Sequence, residues 1–315
     1  MWKSNLRDPK IIASAGAICL AAALWGLDGV VLTPRLSGIP VLFVVFLIHA
    51  VPFLVMQPIL FSTWRELAVM GRKSWWALVV VSATGGLVGT IAIVKALFLV
   101  QFDMLSVVVV LQKLQPVFAI SLAAVLLKER ITGKFLAKAT IALGGGYLLT
   151  FGLNAPRVAG GSNLVLAAAL ALLAAACFGA ATALSKMLIG GVDVRTATFG
   201  RYGVTAGLAL ITCLVGGVGL PFERVTQTQW FIIIIIGMTS GTTALVLYYW
   251  GLQRIRASVA TICELCLPLS AIILDYVVNG TVLRPIQWFG AVVLVGAIMS
   301  ITLAKNGQKQ RAETA

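Results

Sequence analysis

His49, Lys113, Arg201 and Glu264 are ionisable residues set deep inside long apolar runs, and Asp28 is a fifth at intermediate depth. A charge at the centre of a bilayer costs at least about 2.5–3.5 kcal/mol, so such groups face a cavity or a partner. Sliding the sequence over itself by 152 positions brings 112 onto 264 and 49 onto 201. Lys113 and Glu264 thereby become pseudo-symmetric neighbours near mid-depth, and His49 and Arg201 form a second pair. Two readings stay open here. In one, Lys113 and Glu264 neutralise each other as a structural ion pair while Arg201 snorkels to the membrane surface. In the other, Lys113, Glu264, Gln112, Arg201 and His49, with Trp25 as one wall, line a central pocket for an ionised solute. Asp28, His49 and Glu264 are able to carry a proton, and Asp28 and Glu264 are the coupling candidates. Lys95, Lys138, Asp103 and Asp275 lie nearer helix ends, within snorkelling reach of water.

The elements that position these groups are membrane helices. The chain is 60% hydrophobic and 11% charged, against roughly a quarter charged in soluble domains, and its mean hydropathy is +1.02. Apolar runs of about 20 residues, enough to span a bilayer, recur near 11–32, 40–61, 75–100, 104–127, 135–153, 163–189, 195–217, 229–252, 257–278 and 285–304. They are continuous, which excludes a β-barrel and predicts an all-α polytopic protein with ten transmembrane helices. The net charge of +14 is a topology signal. Lys and Arg gather in the N-terminus, the tail and the loops holding Arg65, Arg72, Lys128, Arg130, Arg195 and Arg256, while Arg35, Arg157, Arg224 and Arg284 stand alone between them. Cytoplasmic loops carry such an excess, so both termini are expected in the cytoplasm of a cytoplasmic (inner) membrane protein, with no nucleic-acid partner. Ile11–Leu32 is too long for a cleavable signal.

Enzyme chemistry is not in view. There is one histidine and no HExxH or GxSxG motif. Cys19, Cys177, Cys213, Cys263 and Cys266 all fall in apolar runs, and Cys263-x-x-Cys266 lacks a second ligand pair, so no metal and no cofactor are expected. A nucleotide-binding loop is likewise missing, leaving exchange or a proton gradient as the energy source.

The offset of 152 pairs residues 85–146 with 237–298. Gly85-xxx-Gly89-Thr90 falls on Gly237-xxx-Gly241-Thr242, Gln101 on Gln253, Pro116 on Pro268 and Gly144 on Gly296. Leu24-Trp25-Gly26 has a likeness in Cys177-Phe178-Gly179. Five helices per unit, an odd number, force the second copy to enter from the opposite side, giving inverted repeats over 1–157 and 158–315. Inverted repeats are typical of secondary transporters, with the solute between them at the midplane. Pro116 and Pro268 each remove a backbone bond and bend their helices. The small-xxx-small spacings are packing faces, and Trp75-Trp76 and Tyr248-Tyr249-Trp250 fit interfacial belts.

Two five-helix copies, the Trp25-Gly26 pair and "LQPVFAISLAAVLLKERIT" at 114–132 resemble the EamA-type branch of the drug/metabolite transporter superfamily. Its pattern of Leu-x-Pro followed by Glu at the helix end matches Pro116 and Glu129. The second copy keeps Leu267-Pro268 but has Thr281 where Glu is expected. The family's Arg in the second helix corresponds to Arg201, with His49 in the first copy. The resemblance implies a permease working by alternating access. It would be an exporter of a small charged or zwitterionic metabolite such as an amino acid, proton-coupled or exchanging, or else a lipid-linked substrate flippase or channel of the same fold. Its partners are that small molecule and the bilayer. The glycine faces leave the oligomeric state open.

Overall fold

The computed structural model describes residues 9–100, 108, 111–154, 162–279, 282 and 284–303. Asp103, Arg157 and Thr281, the first eight residues and the tail beyond 303 lie outside them, as does the side chain of Asp275. The described residues form helices joined by short turns and loops, with no strand among them. Continuous apolar sequence in lipid leaves the backbone only its own chain as partner, and the helix answers that.

In chain order the helices are α1 (Pro9–Leu27), α2 (Val41–Leu60), α3 (Thr63–Ala68), α4 (Arg72–Val81), α5 (Gly89–Leu99), α6 (Gln115–Leu126), α7 (Gly133–Phe151) and α8 (Ser162–Leu188). They continue with α9 (Val194–Val215), α10 (Gln227–Ile236), α11 (Ala244–Leu252), α12 (Ala257–Cys263), α13 (Cys266–Asn279) and α14 (Pro285–Leu303). Side chains mark several starts. Thr132 accepts from Phe135 N–H at 3.2 Å, Asp193 from Arg195 N–H at 3.0 Å, and Thr226 with Gln229 forms a capping box before α10.

Among the described residues, eight helical stretches are long and apolar enough to cross a membrane: Pro9–Leu36, Val41–Pro58, Arg72–Leu99, Asn163–Leu188, Val194–Val215, Gln227–Leu252, Ala257–Leu274 and Pro285–Leu303. The protein is a multi-pass membrane protein. Of the other two expected spans, α7 carries Lys134 and Lys138 near its start, and the run near 104–127 is described only in part. Two of the spans change pitch midway. π-helical segments, Ser82–Val88 and Gly237–Thr243, join α4 to α5 and α10 to α11, and a third, Asp28–Leu32, follows α1. The first two are rich in small residues.

Packing is symmetric under exchange of the two halves. α7 packs on α14, and α2 on α9. α1 packs on α11 and α13, just as α8 packs on α5 and α6. Leu149 and Leu294 are fully buried between α7 and α14, where Gln287 also donates to the Leu149 carbonyl at 3.0 Å.

Candidate functional site

The helices that carry Leu114-Gln115-Pro116 and Leu267-Pro268 are both broken beside the proline. Pro268 has no N–H to offer the Glu264 carbonyl, which accepts instead from Leu267 N–H at 3.0 Å in a tighter turn. The break falls at Glu264-Leu265, between α12 and α13. In the first half it falls at Lys113-Leu114, just ahead of α6 with Pro116 in its first turn. Discontinuous backbone at depth is tolerated where it lines a cavity. Two glycines let neighbouring helices reach these breaks. A β-carbon on Gly26 would stand 3.0 Å from the Leu267 carbonyl, and one on Gly179 would stand 2.9 Å from the Gln115 carbonyl. That is the structural sense of the Trp-Gly and Phe-Gly pairs: α1 lies on the start of α13, and α8 on the start of α6.

Between the halves lies a cavity of about 320 Å³, inside the range of about 300–1,000 Å³ usual for small-molecule sites. Glu264, placed in the helix break, projects into it. Its Oε1 accepts from the Tyr248 hydroxyl at 2.8 Å and from Thr182 at 3.3 Å, and its Oε2 from Gln115 Nε2 at 2.5 Å. Arg201, from α9, donates from Nη1 to the Tyr249 hydroxyl at 3.0 Å, and that hydroxyl also meets Ser185 Oγ at 3.3 Å. Glu264 and Arg201 therefore hang on consecutive tyrosines of α11, flanked by Thr182 and Ser185 from one face of α8. Gly85 makes room for the guanidinium, since a β-carbon there would lie 3.0 Å from Nη2.

Asp28, in the first π segment, accepts from Thr33 at 2.7 Å and from Ser240 at 3.0 Å. Trp25 donates its indole N–H to the Ser240 carbonyl at 2.9 Å, and its ring meets that of Tyr248 at 5.3 Å between centroids. His49 donates from Nδ1 to the Val45 carbonyl at 2.8 Å, because a carbonyl can only accept, and its ring lies 5.5 Å from that of Tyr202.

Of the residues singled out from the sequence, Trp25, Asp28, His49, Gln112, Arg201 and Glu264 all border this cavity. Lys113 does not. Its ammonium donates to the Gly146 carbonyl at 2.9 Å and to the Thr150 hydroxyl, and it lies 5.4 Å from the centre of the Phe151 ring. The structure thus places Lys113 neither against Glu264, as the ion-pair reading had it, nor on the cavity, as the pocket reading had it. The counterpart of Glu264 is Gln112, and one residue further along a helix turns the side chain by about 100°, off the cavity and onto α7. Nor is Arg201 at the surface. Lys138 reaches the Ser300 carbonyl at 3.1 Å. Tyr248 and Tyr249 are 4% and 0% exposed, so only Trp250, at 38%, behaves as an interfacial aromatic. The sequence reading missed Thr182, Ser185, Gln115, Ser240 and both tyrosines. One signal was available: Phe178, Thr182 and Ser185 repeat at helical spacing on an otherwise apolar span.

A buried cavity with opposed charges and aromatic walls, held between two similar sets of membrane helices, defines a membrane transporter for a small molecule. The EamA-like transporter family profile matches residues 13–151 and again 165–303. The chain belongs to that family, and it is not an enzyme. The start and end of the second match each lie 152 positions after those of the first (13 to 165, 151 to 303). The chain is similar to the riboflavin transporter ImpX of Fusobacterium nucleatum subsp. nucleatum, with 43% identity over 294 residues, 92% of this chain and 98% of that protein. In fold it is similar to a protein crystal structure with a TM-score of 0.73 at 16% identity, covering 95% of this chain and 99% of the other.

Proposed function

We propose that this protein carries riboflavin, or a close flavin relative, across the cytoplasmic membrane as a secondary transporter. The observation that carries this reading is the 43% identity to a riboflavin transporter over nearly the full length of both chains. The cavity supports it. Trp25, Tyr248 and Phe178 present aromatic surface, and Gln112, Gln115, Arg201 and Glu264 present polar groups, a combination suited to a flat heteroaromatic ring with carbonyl and N–H edges. Riboflavin takes the place of the amino acid implied by family resemblance, which none of the comparisons supports.

On this reading the chain forms ten spans as two inverted five-helix repeats, residues 1–157 and 158–315, with both termini in the cytoplasm. The doubled family match, the exchange-symmetric packing and the distribution of Lys and Arg favour that arrangement. Alternating access moves the solute past the helix breaks, and Asp28 and Glu264, both on the cavity, are the groups offered for proton coupling. The test is flux in proteoliposomes containing the purified protein. Saturable entry of labelled riboflavin, displaced by unlabelled riboflavin and indifferent to excess amino acids, is expected, and the same vesicles loaded internally report efflux. Absence of saturable flux in both directions would overturn the proposal.

A further inference from the structure

We infer that the cavity recognises the cyclic-imide edge of a flat heteroaromatic solute, its carbonyl–NH–carbonyl sequence, through Gln112, Glu264 and Arg201. The inference rests on the flavin reading, because the pyrimidine end of a flavin presents such an edge: acceptor O2, donor N3–H, acceptor O4.

Each of the three groups retains hydrogen-bonding capacity that the protein leaves unused. An ionised carboxylate offers about four lone-pair positions and can only accept. Two positions on Glu264 Oε1 are filled by Tyr248 and Thr182, and one on Oε2 by Gln115. One acceptor position remains, and it calls for an N–H. A guanidinium has five N–H groups, of which Arg201 commits one to Tyr249. Among the described residues it has no carboxylate within ion-pair distance. A buried cation short of acceptors calls for a carbonyl oxygen. The side-chain amide of Gln112 makes no hydrogen bond among the described residues while bordering the cavity. As the repeat counterpart of Glu264, it approaches from the opposite broken helix. Gln112 N–H, the Glu264 carboxylate and Arg201 N–H together supply two donors and one acceptor on the same cavity, the set that the two carbonyls and the N–H of an imide require.

The ring itself has walls to lie against. Trp25 is fixed by its bond to the Ser240 carbonyl, and its ring sits beside Tyr248, whose hydroxyl is in turn fixed on Glu264. The aromatic contact and the carboxylate are thus registered to each other through one side chain.

The decisive experiment edits the ligand, which leaves folding of the protein untouched. Lumiflavin lacks the ribityl chain but keeps the imide; 3-methyllumiflavin differs from it by a methyl on N3. With the purified protein in proteoliposomes, lumiflavin is expected to inhibit riboflavin uptake at concentrations within about tenfold of riboflavin itself. Its N3-methyl derivative is expected to be weaker by about a hundredfold or more, as in sites built around a hydrogen-bond donor. Equal inhibition by the two overturns the inference while leaving riboflavin transport intact. A second arm separates it from the flavin reading. Lumazine, a pteridine with the same imide, should raise the Tm of the detergent-solubilised protein, and 3-methyllumazine should not. That contrast decides imide recognition even if riboflavin itself proves not to be carried, and equal Tm shifts from the two pteridines count against it.

Discussion

Lys113 and Gln112 are neighbours in sequence, yet one residue's rotation puts the amide on the cavity and the ammonium on α7. Mid-depth and an offset of 152 were legible from the sequence; the facing was not, because a helix break sits where rotation must be counted. The consequence is testable with a double-mutant cycle. Lys113→Met and Glu264→Gln share no partner, so their effects on stability should add to within about 0.3–0.5 kcal/mol, measured by thermal unfolding in detergent. A coupling well above 1 kcal/mol would restore the ion-pair reading. Tyr249 shows how buried polar residues hide in a run that looks interfacial. Its hydroxyl bonds Arg201 and Ser185, and hydrogen bonds to charged groups contribute roughly 1.5–3 kcal/mol. Tyr249→Phe should lower stability by about that amount and reduce riboflavin flux, whereas Trp250→Phe, at a half-exposed position and still presenting an aromatic face to Arg254, should change neither. Loss of flux in Trp250→Phe alone would contradict this assignment.

Among the elements, α12 owes its start to a residue far away in sequence. Lys128, at a φ of 52°, turns the chain after α6 and delivers Glu129 to the first turn of α12. There the carboxylate accepts from Ala257 N–H at 2.8 Å, Ser258 N–H at 3.2 Å and the Ser258 hydroxyl at 2.5 Å, with Arg256 Nε at 3.6 Å. An anion on a helix N-terminus satisfies orphan donors and complements the helix dipole. Lys186 does the converse at the end of α11, donating to the Leu252 and Gln253 carbonyls. Glu129→Ala should destabilise the protein by about 0.5–2 kcal/mol, and Glu129→Gln by less, since an amide oxygen still accepts. Equal melting temperatures for wild type and Glu129→Ala would rule the cap out. Gly179 is a second lever. A β-carbon there would lie 2.7 Å from Phe118 Cβ and 2.8 Å from Ala119 N, so Gly179→Ala should cost about 1–3 kcal/mol of overpacking, visible as reduced yield and a lower Tm. A wild-type Tm in Gly179→Ala would mean α8 and α6 stand further apart.

For the molecule as a whole, a membrane-impermeant thiol reagent applied to intact cells should label a cysteine introduced at Ser37 and spare one at Gly191; the reverse pattern would invert the proposed orientation. Continuous apolar runs made the helices legible from sequence, and the self-offset made the duplication legible, because both are properties of long stretches. The site was legible mainly where an ionisable residue stood out against lipid, as at Asp28, His49, Arg201 and Glu264, with Gln112 found through the repeat offset and Trp25 through its Trp-Gly pair. Thr182, Ser185 and Ser240 carry no such contrast, since a hydroxyl on a membrane helix can bond to its own turn. The exchange symmetry described above holds for packing and fails for polarity. The positions matching Arg201, Tyr248, Tyr249 and Glu264 in the first half are His49, Ala96, Leu97 and Gln112. The cavity wall is therefore uneven: hydrogen bonds and ions gather where Tyr248, Tyr249, Glu264 and Arg201 meet, while Ile48, Ile93, Leu97 and Ile236 border it with hydrocarbon. Parting the first set breaks specific bonds; parting the second only separates hydrocarbon. On the proposed alternating-access cycle, that unevenness is expected to bias the empty carrier to rest facing one way, and a solute that takes over the bonds of Glu264 and Arg201 would make the return stroke accessible.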